Sequence, residues 1–131
     1  PGGFTSLRCA VAFINALGFV LKIPSSGIHL SDLYKARTAD PDNTVWLHST
    51  KKTALFLRKL TEPDTNLVEV GDLQNQVEDA TGWTGELIPE HQQLITLKPA
   101  QLKSLEDVLP TFLAQQTYEN QILEPWYGRG Y

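Results

Sequence analysis

The chain of 131 residues contains no methionine and one cysteine, and its 11 lysines and arginines are outnumbered by 15 aspartates and glutamates. Each shortage excludes something. A lone cysteine, Cys9, rules out an intramolecular disulfide, and its place in an apolar run predicts a small buried hydrophobe rather than a reactive thiol. A net charge of -4 argues against a surface that grips nucleic acid by neutralising phosphates, so any RNA contact would borrow its cations from a partner. Long hydrophobic runs are missing too. The most apolar stretch, Leu7 to Leu21, is interrupted by Arg8, Asn15 and Gly18 and falls short of the roughly 20 residues that a bilayer requires. The opening lacks the charged n-region of a signal peptide, so a cytoplasmic protein without a membrane span is expected. The missing methionine, in a chain that opens at Pro1, predicts an N-terminal truncation. Internal repeats and low-complexity segments are absent.

What is present fits one soluble domain over residues 1–131, since 41% of the residues are hydrophobic and 20% charged, enough to build a core. The first helix is expected from about Thr5 to Lys22. Thr5 or Ser6 would cap it, and Pro24 would end it. Leu7, Val11, Ile14, Leu17 and Leu21 form one apolar stripe, suited to covering a sheet. Phe13 and Val20, flanked by Ala10 and Ala16, form a second. A surface helix of a monomer needs only one such stripe, so the second predicts contact with another protein. Its interface residues would be Phe13, Ala16, Leu17 and Val20, with Arg8 and Asn15 at the rim.

Downstream, Gly27 to His29 reads as the end of a short strand, followed by a helix from Ser31 to Arg37. Thr44 to Ser49 and Thr53 to Leu60 read as an antiparallel hairpin turning at Lys51-Lys52. Both hairpin faces are partly apolar, which places the pair inside a larger sheet. Asn66 to Val70 is a further strand, Asp72 to Asp79 an acidic helix, Gly82 to Ile88 a strand and Leu94 to Leu97 a weaker one. Pro99 opens the last helix, which Pro110 should kink. This alternation predicts an α/β domain with a mixed sheet.

The chemistry-bearing residues are scattered. Gly2, Gly3, Thr5 and Ser6 before a helix are a candidate anion site, because free amides and the helix dipole favour negative charge there. The same glycines also serve a plain strand-to-helix turn, and neither a P-loop nor a dinucleotide fingerprint is met. Glu90-His91 is a candidate acid/base pair, and His48 shares a strand face with Trp46. Ser25, Ser26, Ser49 and Ser104 lack the glycine-framed elbow of a nucleophile. The tail from Glu124 to Tyr131 is aromatic and glycine-rich, suited to packing on the domain.

Pro1-Gly2-Gly3-Phe4-Thr5-Ser6-Leu7-Arg8 resembles the Gly-Pro-Gly-Ser-Phe-Thr-Gly-Leu-Arg motif of the TsaB (YeaZ) family. Gly3 stands where serine is common, and Ser6 where glycine is common. The Leu21-Lys22-Ile23-Pro24 segment, the hairpin near Trp46 and the Pro125-Trp126-Tyr127-Gly128-Arg129 ending are similar as well, whereas Thr61 to Gln116 matches only in the order of its elements. The resemblance implies an actin-like, Hsp70-like (ribonuclease H-like) domain lacking its first strands. It implies a non-catalytic dimerisation subunit for threonylcarbamoyl modification of adenosine 37 in tRNA. The implied partners are a TsaD-like transferase, a TsaE-like ATPase or a second copy of the chain, with tRNA met only through the complex and no cofactor of its own. The transferase paralogue carries a His-x-x-x-His metal pair; here His29 fits its first position and Leu33 the second, which leaves His29 a lone candidate ligand. Two rivals remain: a divergent metal- or ATP-dependent carbamoyl-transferring enzyme of the same superfamily, and an unrelated α/β ligand-binding domain.

Overall fold

The computed structural model describes residues 4–128, in which a five-stranded mixed sheet makes the fold α/β. The elements run α1 (Phe4–Leu21), α2 (Leu30–Arg37), β1 (Thr44–Lys51), β2 (Ala54–Lys59), β3 (Asn66–Glu69), α3 (Leu73–Gln76), β4 (Gly82–Glu86), α4 (Pro89–Gln92), β5 (Lys98–Pro99) and α5 (Leu105–Ala114). Strand order is β3-β2-β1-β4-β5. The first three strands form an antiparallel meander, and β4 and β5 add in parallel beside β1. Gly85 is required where β4 meets β1: its φ is +118°, and a Cβ there would run into the Leu47 carbonyl.

Alternation along β1 and β2 gives the sheet two chemically different faces. Val45, Leu47, Leu55, Leu57 and Val68 point to one side and join Leu73 and Val77 in an aliphatic core. Trp46 pairs with Arg58 and Thr84, and His48 with Phe56 and Glu86, so these six residues share the opposite face. Arg58 is buried there and donates to Asp32 Oδ1 and Ser31 Oγ, both at 2.6 Å, and to the Glu62 carbonyl at 2.8 Å. A guanidinium out of water needs such partners, and meeting them fastens α2 onto this face.

Several expectations are corrected. Thr5 and Ser6 lie within α1 rather than capping it. The helix ends after Leu21, where Lys22 takes a left-handed φ of 53° ahead of Pro24. Gly27 to His29 forms no strand; His29 instead caps α2, accepting the Ser31 amide on its side chain. The expected Asp72–Asp79 helix shrinks to a 3₁₀ turn, Val70–Asp72, plus α3. Leu94 to Leu97 is not a strand, and Pro99 opens no helix: it pairs with Trp83 on the sheet edge, where a residue without an N–H is tolerated. The last helix starts six residues later, because Ser104 accepts the Asp107 amide as its cap. It continues through Pro110.

Candidate interaction surface

Helix α1 turns a narrow stripe toward its own chain. Leu7, Val11, Asn15 and Gly18 are its partly buried residues from Thr5 onward, spaced four, four and three apart. Asn15 makes the anchoring contact: its Nδ2 donates to the Leu123 carbonyl at 2.9 Å and its Oδ1 accepts the Leu123 amide at 2.8 Å. A carboxamide matched to the N–H and C=O of one residue satisfies both backbone groups at once. Asn15 is therefore no rim residue of an outer interface, because its hydrogen-bonding capacity is turned inward. A neighbouring pair of backbone bonds, Ser25 to Glu119 in both directions, extends the same seam.

The other faces of α1 meet solvent. Phe13 is 63% exposed, Phe19 86% and Val20 72%, with Ile14, Leu17 and Leu21 also exposed. Arg8 and Ala16 are exposed as well. The expected division of labour is thus shifted. Ile14 and Leu21, assigned by spacing to the sheet side, join Phe13, Ala16, Leu17 and Val20 on the open side. Cys9 is exposed rather than buried, because it lies about 160° round the helix from Val11, the middle of the inward stripe. Among the described residues no helix is long and apolar enough to cross a membrane.

The candidate chemical residues separate into two groups. His91 is 1% exposed and serves as a latch: Ser49 Oγ lies 2.8 Å from its Nδ1, and its Nε2 is 2.9 Å from the Lys52 carbonyl. The carbonyl can only accept, so the proton sits on Nε2 and Ser49 donates to Nδ1. Ser49 Oγ in turn accepts the Ile88 amide at 3.0 Å. Together these bonds join α4 to the hairpin. Glu90 is exposed and takes no part in that latch, so the expected acid/base pair is not assembled.

The second group gathers on the aromatic face of the sheet. His48 stacks on Trp46 with ring centroids 5.7 Å apart and planes 8° from parallel, as expected from their i, i+2 spacing. His29 meets Trp46 edge-on at 5.8 Å and Trp126 at 4.4 Å. Sequence alone did not bring His29 and Trp126 to this place, since both arrive from distant segments. Burial pushes the pKa of His29 below its ordinary value; Asp32 opposes the shift and Arg58 reinforces it. Burial lowers His48 likewise. As a metal ligand His29 has no company: no group of three or more His, Cys, Asp or Glu side chains is clustered among the described residues. Its Nδ1 is engaged by Ser31, and Asp32 by Arg58. Of the candidate anion site, Gly2 and Gly3 lie outside the described residues, while Thr5 and Ser6 are exposed in the first turn of α1.

No protein-family model, no curated protein and no solved structure matches this chain.

Proposed function

We propose that this chain is a non-catalytic partner-binding subunit that docks another protein through the open face of α1. One observation carries the reading: Phe13, Leu17 and Val20 fall within about 60° of one another on a single helix and all are exposed. Burying what these three side chains still expose contributes on the order of 3 to 5 kcal/mol, part of which offsets the freedom lost on association. The surface charge and the scattered chemical residues favour a scaffold over an enzyme.

The partner is argued from the opening motif. Its likeness to the TsaB family supports a TsaD-like transferase as the occupant, with a TsaE-like ATPase in the same assembly and threonylcarbamoyl modification of adenosine 37 in tRNA as the outcome. In that reading the sheet belongs to an actin-like, ribonuclease H-like lobe, and α1 contributes half of a helical contact. Phe13, Ala16, Leu17 and Val20 sit at its centre, and Arg8 at its margin.

Sedimentation of the full chain mixed with a TsaD-like protein tests this. The unmodified chain should co-sediment as a complex, and the double substitution Phe13→Glu with Val20→Glu should abolish it. Persistence of the complex in the doubly charged variant overturns the docking face. Self-association in place of a mixed complex would identify a second copy of the chain as the occupant and overturn the transferase partnership.

A further inference from the structure

The aromatic face of the sheet has a property that docking through α1 leaves unexplained. Among the described residues, three buried ring nitrogens in one contact cluster lack hydrogen-bond partners: His29 Nε2, Trp46 Nε1 and His48 Nδ1. Trp46 is only 1% exposed, and its ring touches both histidines. An indole N–H is a permanent donor. His29 Nε2 is held as a second donor, because Nδ1 accepts the Ser31 amide and so carries no proton. His48 Nδ1 takes either role according to its tautomer. Buried polar groups are seldom left unanswered in proteins, and three in contact call for a cause.

The ring beside His29 supplies one. Trp126 packs with its centroid 4.4 Å from that of His29 and 5.1 Å from that of Phe56 and is 46% exposed. Its indole has a donor and no conventional acceptor, so it packs on His29 without answering the Nε2–H group there. A flat ring bearing a carbonyl or an unprotonated ring nitrogen would do both. Local charge selects against a bare anion: Asp32 is already paired with Arg58, while the Glu86 carboxylate stands in register with His48. The walls, Trp46, His48 and Phe56, are aromatic and suited to stacking.

We propose that His29, Trp46 and His48 form a binding site for a neutral, planar heteroaromatic ring of the nucleobase class, entered by displacing Trp126. The site lies on the sheet rather than on α1, and it stands or falls independently of the docking face. A free nucleoside and an unstacked base in single-stranded RNA share the required chemistry.

The test is calorimetric titration of the full chain with adenosine, with uridine and with a short single-stranded RNA. Trp126→Ala removes the internal plug and should bind roughly tenfold more tightly than the unmodified chain. Adding Trp46→Phe keeps a ring but deletes its N–H, and should reverse roughly tenfold of that gain. Saturable binding of the nucleosides identifies a small ligand, and binding of the oligonucleotide alone identifies RNA; either supports the site. For substitutions that fail to fold, imidazole proton resonances of His29 and His48 in the unmodified chain provide the second readout, and they should shift on addition of the probe. Absence of saturable binding together with unmoved resonances, or binding indifferent to Trp46→Phe, overturns the proposal.

Discussion

Helix α1 and strand β1 are both dense in large apolar side chains, and they meet opposite fates. Val45, Trp46 and Leu47 in β1 are 2%, 1% and 0% exposed, whereas Phe13, Phe19 and Val20 in α1 keep well over half of their surface in solvent. The difference lies in what surrounds each element. β1 has β2 and β4 on its two edges and a covering layer on each face. α1 has a single anchored stripe, fixed by the Asn15 carboxamide on the backbone of Leu123. Hydrophobicity alone does not decide burial; topology decides how much of a segment its own chain can cover.

Substitutions on the two elements should therefore differ sharply. Leu47→Ala empties the middle of the aliphatic core and should cost about 2 to 5 kcal/mol of unfolding free energy, read as a lower midpoint in urea. A loss under about 1 kcal/mol would mean that the β1 core is looser than its burial indicates.

The next effect in size concerns pH and the aromatic face. The pKa of His29 lies below its ordinary 6.5, so the unfolded chain takes up a proton that the folded chain refuses. The stability linked to this group is present above that value and falls as pH drops through 6.5 toward the folded pKa. His48 acts with the same sign. Denaturation midpoints measured from about pH 7.5 down to 5 should decline. His29→Asn retains a cap-forming side chain and should flatten part of the slope, and His48→Gln a further part. A slope unchanged in both variants would separate these rings from the acid response.

The smallest effect belongs to α1. Phe19→Ser, at the most exposed of its large side chains, should move the stability of the isolated chain by no more than about 0.5 kcal/mol. A large loss in the same urea titration would show that α1 is covered by its own chain in solution, and the comparison with β1 would fail.

The hairpin and α1 were legible in the sequence because their signals are local. Runs of Val, Trp, Leu and Phe with turn residues between them give β1 and β2, and an uninterrupted helical segment before Pro24 gives α1. Short elements were legible only in part: β3 was expected, α3 was drawn too long, and α4 and β5 were missed. α3, α4 and β5 span four residues or fewer, too few for a period to declare itself, and Pro99 reads equally as a helix opener or an edge-strand residue. The open face around Phe13 and Val20 followed from spacing, but the inward stripe was misassigned at Ile14 and Leu21. Asn15 looks like a polar interruption until Leu123, 108 residues away, is placed beside it. The aromatic cluster was half legible, since Trp46 and His48 are two apart on one strand, while the loop carrying His29 and the tail carrying Trp126 reach it only through the tertiary fold.

The seam between Asn15 and Leu123 makes α1 and the segment behind α5 mechanically dependent on each other. Proteolytic trimming behind α5 would cut the tether of the leading helix and set it swinging, although the cut falls more than a hundred residues away in sequence.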